Sequence, residues 1–421
     1  AGFYASKGHS VTGVDLDPKK VAALNKGLPP VPETGLASYV KKNKKRLSAT
    51  VDIEKAVSET DVTFIILPTP SKKDGSFSVE LITDACKGIG KALKNKKGYH
   101  LVSVVSTVMP GDSRESIIPA LEKASGKKCG VDFGYCYNPS LIAIGDVLEN
   151  LEHPDFIFLG EFDTQSGDML ASIYKTIYRD TLPERMSIES VEIAKIALNS
   201  YITMKITFAN VLGMLAEQIP NAHVDHITTA LGKDRRIGSH YLRAGLGYGG
   251  PCFPRDNFAF AHMAKKRGIE TPLALSTHMV NNTIPDRMSI LLKDGAKKLK
   301  TKKIGLLGVS YKPKTTITED SQAYVIAENL IKSGYNVSIF EPLGTEEAKK
   351  KLEKKARYAT ALSQFVKESD VIFVSNKDKE FSDLPKFIKQ FKTQKIIIDP
   401  WGMFEPNAFG KNVTYRAIGR K

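Results

Sequence analysis

Residues 187–219 read SIESVEIAKIALNSYITMKITFANVLGMLAEQI, with no proline and Gly213 as the only interruption. As a single helix this stretch of ~33 residues would extend roughly 50 Å at 1.5 Å per residue. That is long for one globular domain and suits a spine between two. The flanks have a different character. On the N-terminal side, HSVTGVDLD, DVTFIILPTP, HLVSVVSTVMPG and FGYCYNPS are short apolar runs ended by acids, prolines or glycine, and LITDACKGIGKALKN between two of them is helical. Asp17 and Pro18 suit the N-cap and first position of another helix. After the spine, helical segments are expected around 224–232, 256–267 and 272–299. KKIGLLGVSY, YNVSIFEP, DVIFVS and KIIIDP then resume the alternation. Strand–helix alternation predicts doubly wound parallel sheets. The expected architecture is α/β: two Rossmann-like domains, 1–186 and 299–421, joined by a central helical domain, 187–298, that carries the spine.

Composition excludes several classes. No apolar run reaches the ~18–20 residues of a membrane span, and AGFYASKGHS lacks the zones of a signal peptide. Four cysteines without a CxxC pair suggest neither a disulfide framework nor a metal site; a reducing cytoplasm is expected. The net charge of +15 favours anionic partners. The basic runs at 41–46, 297–303 and 349–355 are dispersed and read as solvated surface, so nucleic acid is not the expected partner.

Three groups of residues carry candidate chemistry. Asp15 ends a strand where a carboxylate can bind the hydroxyls of an adenosine ribose, as an alternative to a merely solvated strand end. The GxGxxG turn that normally precedes it is not in the sequence, since Gly2 and Gly8 have the wrong spacing. The sequence therefore reads as truncated, beginning inside the first helix without the pyrophosphate cradle, and weak dinucleotide binding is expected. The strongest segment is GLGYGGPCFPRD at 245–256. Glycines permit close approach of backbone to a ligand, a buried structural cysteine needs no such setting, and Arg255 stands beside Cys252 to favour a thiolate. Asp256 follows one helical turn later. Lys195 and Asn199, at i and i+4, share a face of the spine. Alone they read as a surface stripe; with Cys252 they suit oxyanion stabilisation.

GHSVTGVDLD, LPTPSKKDGS, VSTVMPG, NPSLIAIGDVL, EIAKIALNSY, KDRRIGSHYLRAGLGYGGPCFPRDN and LLGVSYKP together resemble the UDP-glucose/GDP-mannose dehydrogenase family, in order and spacing, over nearly all of the chain. The resemblance implies an NAD-binding domain at 1–186, a central domain with the catalytic cysteine and dimer interface at 187–298, and a UDP-binding domain at 299–421. It implies oxidation of the C6 alcohol of a nucleotide sugar by NAD⁺ to an aldehyde, attack by Cys252 to give a thiohemiacetal, a second oxidation to a thioester, and hydrolysis to the acid. UDP-glucose is the expected substrate, with UDP-N-acetylhexosamine or GDP-mannose as alternatives and a homodimer as the expected assembly. By the same resemblance Lys195 and Asn199 stabilise oxyanions, Asp256 orients water and the lysine, and Thr107 lies near the reacting carbon. Asp15, Lys20, Leu67, Thr69, Ser106, Thr107 and Val108 would line the cofactor site. Ser140, Leu141, Lys195, Asn199, Arg236, Tyr241, Arg243, Gly245, Gly247, Tyr248, Gly249, Tyr311 and Lys312 would hold the substrate, with Arg236 reaching across a dimer.

Two positions depart from the family pattern. Ser140 stands where the family usually has a glutamate acting as general base, and serine cannot take that role at neutral pH without a partner. Glu319 stands where an arginine commonly contacts cofactor. Two other readings compete. A two-electron hydroxyacid dehydrogenase of the 6-phosphogluconate type shares the sheet, long helix and Lys/Asn pair but needs neither Cys252 nor a second α/β domain. A non-catalytic nucleotide-sugar-binding homologue is motivated by Ser140 and the absent glycine turn.

Overall fold

The computed structural model describes every residue except Pro32, Gly344, Glu353, Lys354 and Lys421. The chain divides into two compact units, Ala1–Ala197 and Leu198–Lys421.

In the first unit, β1 (Val11–Val14) and β2 (Leu47–Thr50) pair in parallel as a sheet of two strands. A second sheet holds β3 (Val62–Ile65), β4 (Leu101–Val104), β5 (Gly134–Tyr137), β6 (Ile157–Glu161) and β7 (Pro183–Ser187), in that order. β3, β4 and β5 are parallel, as expected of strands that read as continuous apolar runs. β6 departs from that expectation and pairs antiparallel to β5, with Cys136 opposite Glu161. The intervening residues carry only the short helix Val147–Glu152. They return the chain along the sheet rather than through the long crossover a parallel neighbour needs. β4 and β5 are buried throughout, and Leu101, Cys136, Leu159 and Leu170 form the centre of the core beneath them. The helix Pro18–Asn25 starts as its sequence dictates: Asp17 accepts the Lys19 amide at 2.8 Å, and Pro18 occupies the first turn, where no amide is needed.

The long helix, Ile188–Gln218, has 31 residues, two fewer than the uninterrupted stretch suggested. It begins in the first unit and continues into the second. In the second unit follow helices Val224–Gly232, Phe253–Lys265 and Pro272–Lys298. The second of these starts three residues earlier than expected, at the residue after Cys252. Six parallel strands then form one sheet: β8 (Lys303–Leu307), β9 (Asn336–Phe340), β10 (Arg357–Tyr358), β11 (Val371–Val374), β12 (Lys395–Asp399) and β13 (Val413–Ala417). Their order, β10-β9-β8-β11-β12-β13, is the 3-2-1-4-5-6 arrangement of a dinucleotide-binding fold. It places a topological switch point between β8 and β11, where ligands bind such sheets at the strands' carboxyl ends. Ile304, Leu306, Val371 and Ile396 pack beneath Leu292 and Met288 of the preceding helix. Even Lys395 is buried in β12; its ammonium donates to the carbonyls of Val366 and Ser369, so the charge is not left unsatisfied.

The long helix buries polar residues alongside apolar ones such as Val191, Ile196 and Ala209. Its polar residues Glu192, Lys195, Asn199, Thr203, Thr207, Asn210 and Glu217 are all buried, spaced three, four or seven apart. Tyr201, Phe208 and Leu215 lie more than half exposed on another face, and Ile219, just past the helix, is exposed as well. The basic runs behave as solvated surface: the lysines of 41–46, those of 297–303 and Lys349, Lys350, Lys351 and Lys355 are exposed, while Glu353 and Lys354 lie outside the described residues.

Candidate active site

In the first unit the candidate cofactor residues follow the carboxyl ends of β1, β3 and β4. Asp15 follows β1. One carboxylate oxygen accepts the Asp17 amide at 2.9 Å and the other the Lys20 ammonium at 3.2 Å. The amide bond leads in holding its carboxyl below the usual range, and Lys20 adds to it. Leu67 and Thr69 follow β3, and Ser106, Thr107 and Val108 follow β4. The two loops are stitched together. The Leu67 amide donates to Ser106 Oγ at 2.8 Å, and Thr69 Oγ1 donates to the Thr107 carbonyl at 2.7 Å. The Val108 amide donates to the Tyr137 hydroxyl at 3.4 Å. An ionised carboxylate beside a lysine is a suitable acceptor and donor set for the diol of an adenosine ribose, so these residues fit a dinucleotide.

The six-stranded sheet of the second unit has a glycine turn, Gly308 at φ +90° after β8, but it is filled from within. The buried Glu341 carboxylate accepts the amides of Val309 at 2.7 Å and Ser310 at 2.8 Å. An internal anion thus takes the amides that a phosphate would use in a dinucleotide site. Burial leads in raising the Glu341 carboxyl above its ordinary value.

Lys195 is buried, and its ammonium donates to the Ser140 carbonyl at 2.9 Å. Ser140 therefore serves the lysine through its backbone. Leu141 follows it, partly exposed. One turn along the helix, Asn199 donates to Asp256 Oδ2 at 2.6 Å. Asp256 is 1% exposed, and Arg255 Nε lies 3.4 Å from its other oxygen. The Asp256 amide donates to the Cys252 carbonyl at 2.9 Å, closing the first turn of the helix that Cys252 caps. The thiol is exposed at a helix N-terminus, where the aligned peptide dipoles favour negative charge. None of the four cysteines is disulfide-bonded, and Cys86, Cys129 and Cys136 are buried, with burial raising each thiol.

The glycine segment before Cys252 is held by side chains distant in sequence. Asn210 accepts the Gly245 amide at 2.9 Å and donates to the Leu246 carbonyl at 3.3 Å. Gln322 accepts the Gly247 amide at 2.7 Å, and Asn281 accepts the Tyr248 amide at 2.9 Å. A Cβ at Gly245 would meet the Trp401 ring at 2.3 Å; at Gly247, Asn281 Oδ1 at 2.1 Å; at Gly249, the Asp320 carbonyl at 2.2 Å. Tyr311, beside Lys312, packs on Gly250. Tyr241 and Tyr248 meet Phe253 edge-on, with ring centroids 6.4 and 6.2 Å away. Arg243 donates to the Trp401 carbonyl at 3.3 Å. Arg236 stands apart: its side chain is 89% exposed and turned onto Asp234.

Sequence models of the UDP-glucose/GDP-mannose dehydrogenase family match three stretches: its NAD binding domain over 1–178, its central domain over 189–283 and its UDP binding domain over 305–406. The chain belongs to the UDP-glucose/GDP-mannose dehydrogenase family. GDP-mannose 6-dehydrogenase of Pseudomonas aeruginosa is 33% identical over 399 residues, covering 91% of this chain and 90% of that one. UDP-glucose 6-dehydrogenase AglM of Haloferax volcanii is 33% identical over 403 residues, covering 95% and 93%. The structure of a UDP-glucose dehydrogenase from Pyrobaculum islandicum superposes with a TM-score of 0.89 at 29% identity, covering 100% and 94%. The chain is accordingly an NAD-dependent nucleotide-sugar dehydrogenase. Among the described residues no helix is long and apolar enough to cross a membrane.

For a dehydrogenase of this family the residues that sequence reasoning missed are those that hold the site rather than line it. Asn210, Asn281 and Gln322 fix the glycine segment. Glu192, fully buried, accepts the amides of Gly111 at 2.7 Å and Ser113 at 3.1 Å and so anchors the segment that follows Val108. One signal was available: Glu192 and Asn210 continue the polar spacing of Lys195 and Asn199 along an otherwise apolar helix.

Proposed function

We propose that this chain oxidises the C6 alcohol of UDP-glucose to the carboxylate of UDP-glucuronate through a thiohemiacetal and a thioester on Cys252. The observation that carries this reading is the exposed thiol at a helix N-terminus, with buried Asp256 one turn along, oriented by Asn199. Asp15 and Lys20 would hold the adenosine ribose, with Leu67, Thr69, Ser106, Thr107 and Val108 lining the rest of the cofactor site. When bound, NAD⁺ would accept one hydride in each of the two oxidations, the proton of the C6 alcohol leaving to water in the first. The Cys252 thiolate adds to the C6 aldehyde, forming a C–S bond and leaving negative charge on the carbonyl oxygen. Lys195 and Asn199 stabilise that oxygen. In the last step Asp256 accepts a proton from water as its oxygen adds to the thioester carbon. The C–S bond then breaks, the thiolate is regenerated, and the water oxygen remains in the carboxylate. Covalent capture divides a four-electron oxidation into easier steps and keeps the aldehyde from escaping. Arg243, Tyr311, Lys312 and the glycine segment are assigned to the nucleotide sugar, cations suiting its diphosphate.

The fold similarity to the Pyrobaculum UDP-glucose dehydrogenase supports the choice of sugar. The Pseudomonas GDP-mannose enzyme, at the same 33% identity as the Haloferax UDP-glucose enzyme, favours GDP-mannose as a second reading. Purified protein offered UDP-glucose, GDP-mannose and a UDP-N-acetylhexosamine, with NADH counted against acid formed, tests both. Two NADH per UDP-glucuronate are expected, and no acid from Cys252→Ala. One NADH per product would instead indicate a two-electron dehydrogenase, and none a binding homologue.

We further propose a homodimer in the cytoplasm. The exposed apolar residues Tyr201, Phe208 and Leu215 recur every seventh position on the long helix and support self-association. Exposed Arg236 is available to a partner copy's substrate.

A further inference from the structure

Arg420 lies beyond β13, yet its side chain is only 6% exposed. Nε and Nη2 bond the two carboxylate oxygens of Asp225 at 2.6 and 2.9 Å. Nη2 also donates to the Ala244 carbonyl at 3.1 Å, and Nη1 to the carbonyls of Pro400 at 2.8 Å and Ile418 at 2.9 Å. These bonds use all of the ~5 donors of a guanidinium, so the buried charge is paired and satisfied. They tie three stretches together: the helix Val224–Gly232, the residue before the glycine segment, and the turn after β12.

The backbone makes room for this contact. Gly419, at φ +68°, gives its carbonyl to the Val224 amide at 2.8 Å. A Cβ there would lie 2.8 Å from the Gly213 carbonyl of the long helix, so only glycine lets the two backbones approach so closely. Two of the three carbonyls that Arg420 clamps, those of Ala244 and Pro400, belong to the chain neighbours of Arg243 and Trp401. Those two residues are themselves joined, Arg243 to the Trp401 carbonyl, and the Trp401 ring covers Gly245.

We propose that Arg420 is a positioning residue that holds Arg243 and the glycine segment in register with the turn after β12 for nucleotide-sugar binding. The proposal rests on the reading that 243–250 receives the substrate. Arg420 touches no reacting atom, so its loss acts on substrate affinity rather than on the chemical steps.

The test uses the whole chain with Arg420→Ala and Arg420→Lys. Lysine keeps a charge beside Asp225 but lacks the planar fork that reaches Ala244 and Pro400 as well, and it serves if the alanine variant fails to fold. Both variants are expected to raise KM for the nucleotide sugar about tenfold while kcat stays within about threefold. Hydrogen exchange of the Gly245 and Gly247 amides, measured without ligand, is expected to quicken in Arg420→Lys while the amides of β8 and β11 keep their protection. A KM within about twofold of the unsubstituted chain in Arg420→Lys would overturn the proposal, as would unaltered exchange of those two amides. If the unsubstituted chain oxidises no nucleotide sugar, the reading of 243–250 fails instead, and the exchange comparison still decides whether Arg420 holds the segment.

Discussion

Asp256 is the residue on which the proposed hydrolysis depends, because Ser140 offers no carboxylate for it. It is buried and receives Asn199 and Arg255. Asp256→Asn keeps the shape and removes the proton acceptor. The acid-forming rate is expected to fall about a hundredfold or more, the usual scale of general-base loss. The intermediate before hydrolysis should then accumulate on Cys252 as an acyl adduct visible by mass spectrometry. A variant that forms acid at the normal rate with no adduct would remove Asp256 from the mechanism. His100 carries a separate, pH-dependent prediction. It is wholly buried, with Nδ1 2.9 Å from the Thr60 carbonyl and Nε2 2.8 Å from the Thr63 hydroxyl. Nδ1 therefore holds the proton and Nε2 accepts. Burial, with Lys96 adding, lowers its pKa from 6.5 to about 4. The folded value lies below the unfolded one, so folding disfavours the charged ring. Stability should be level above pH 6.5 and fall as the pH drops from 6.5 toward 4. This site alone contributes a loss of about 2 kcal/mol between pH 7 and pH 5. Urea titrations at the two pH values should show that loss, and His100→Asn should reduce it by the same amount.

At the scale of elements, the glycine segment is the least tolerant. Gly247→Ala would set a methyl group 2.1 Å from Asn281 Oδ1, which accepts the Tyr248 amide, and 2.2 Å from Gln322 Nε2, which donates to the Asn281 carbonyl. Overpacking of this kind costs ~1–3 kcal/mol. Thermal melts should fall by several degrees, and KM for the nucleotide sugar should rise with them; a variant with unchanged melt and KM would show that the segment can yield. The candidates Cys252 with Asp256 and Lys195 with Asn199 could be paired from the sequence because each pair is local, one helical turn apart. The residues that hold the glycine segment could not. Asn281 is 33 positions from Tyr248 and Gln322 is 75 from Gly247, and no spacing rule spans such distances. The strands show the same division. β4, β5, β8 and β11 are apolar runs and were readable, whereas the edge strands β7 and β13, PERMS and VTYRA, carry little apolar signal. The length of the long helix could be read from its sequence, but the orientation of its faces could not. Its buried polar side is decided by what Asn199 and Asn210 bond to, residues far away in the sequence.

The exposed apolar side of the long helix gives the prediction for the whole molecule. Tyr201, Phe208 and Leu215 are each 53% exposed and stand two turns apart, and Ile219 is 55% exposed. In a two-fold dimer each residue of such a stripe counts twice, once on either copy. Burying a side chain of this size stabilises by ~1.5–3 kcal/mol when complete. Replacing Phe208 by glutamate on both copies should then weaken the dimer by about two decades or more in Kd. Sedimentation equilibrium of the unsubstituted chain and Phe208→Glu measures this directly, and a monomeric unsubstituted chain at micromolar concentration would end the argument. Charge supplies an independent check. Each copy carries +15, so two copies repel at long range. Salt shortens the reach of that repulsion to about 8 Å at physiological strength, leaving apolar burial nearly untouched. Association through the stripe should therefore tighten as salt is raised. An assembly held by ion pairs, Arg236 reaching a partner's carboxylate among them, would loosen instead.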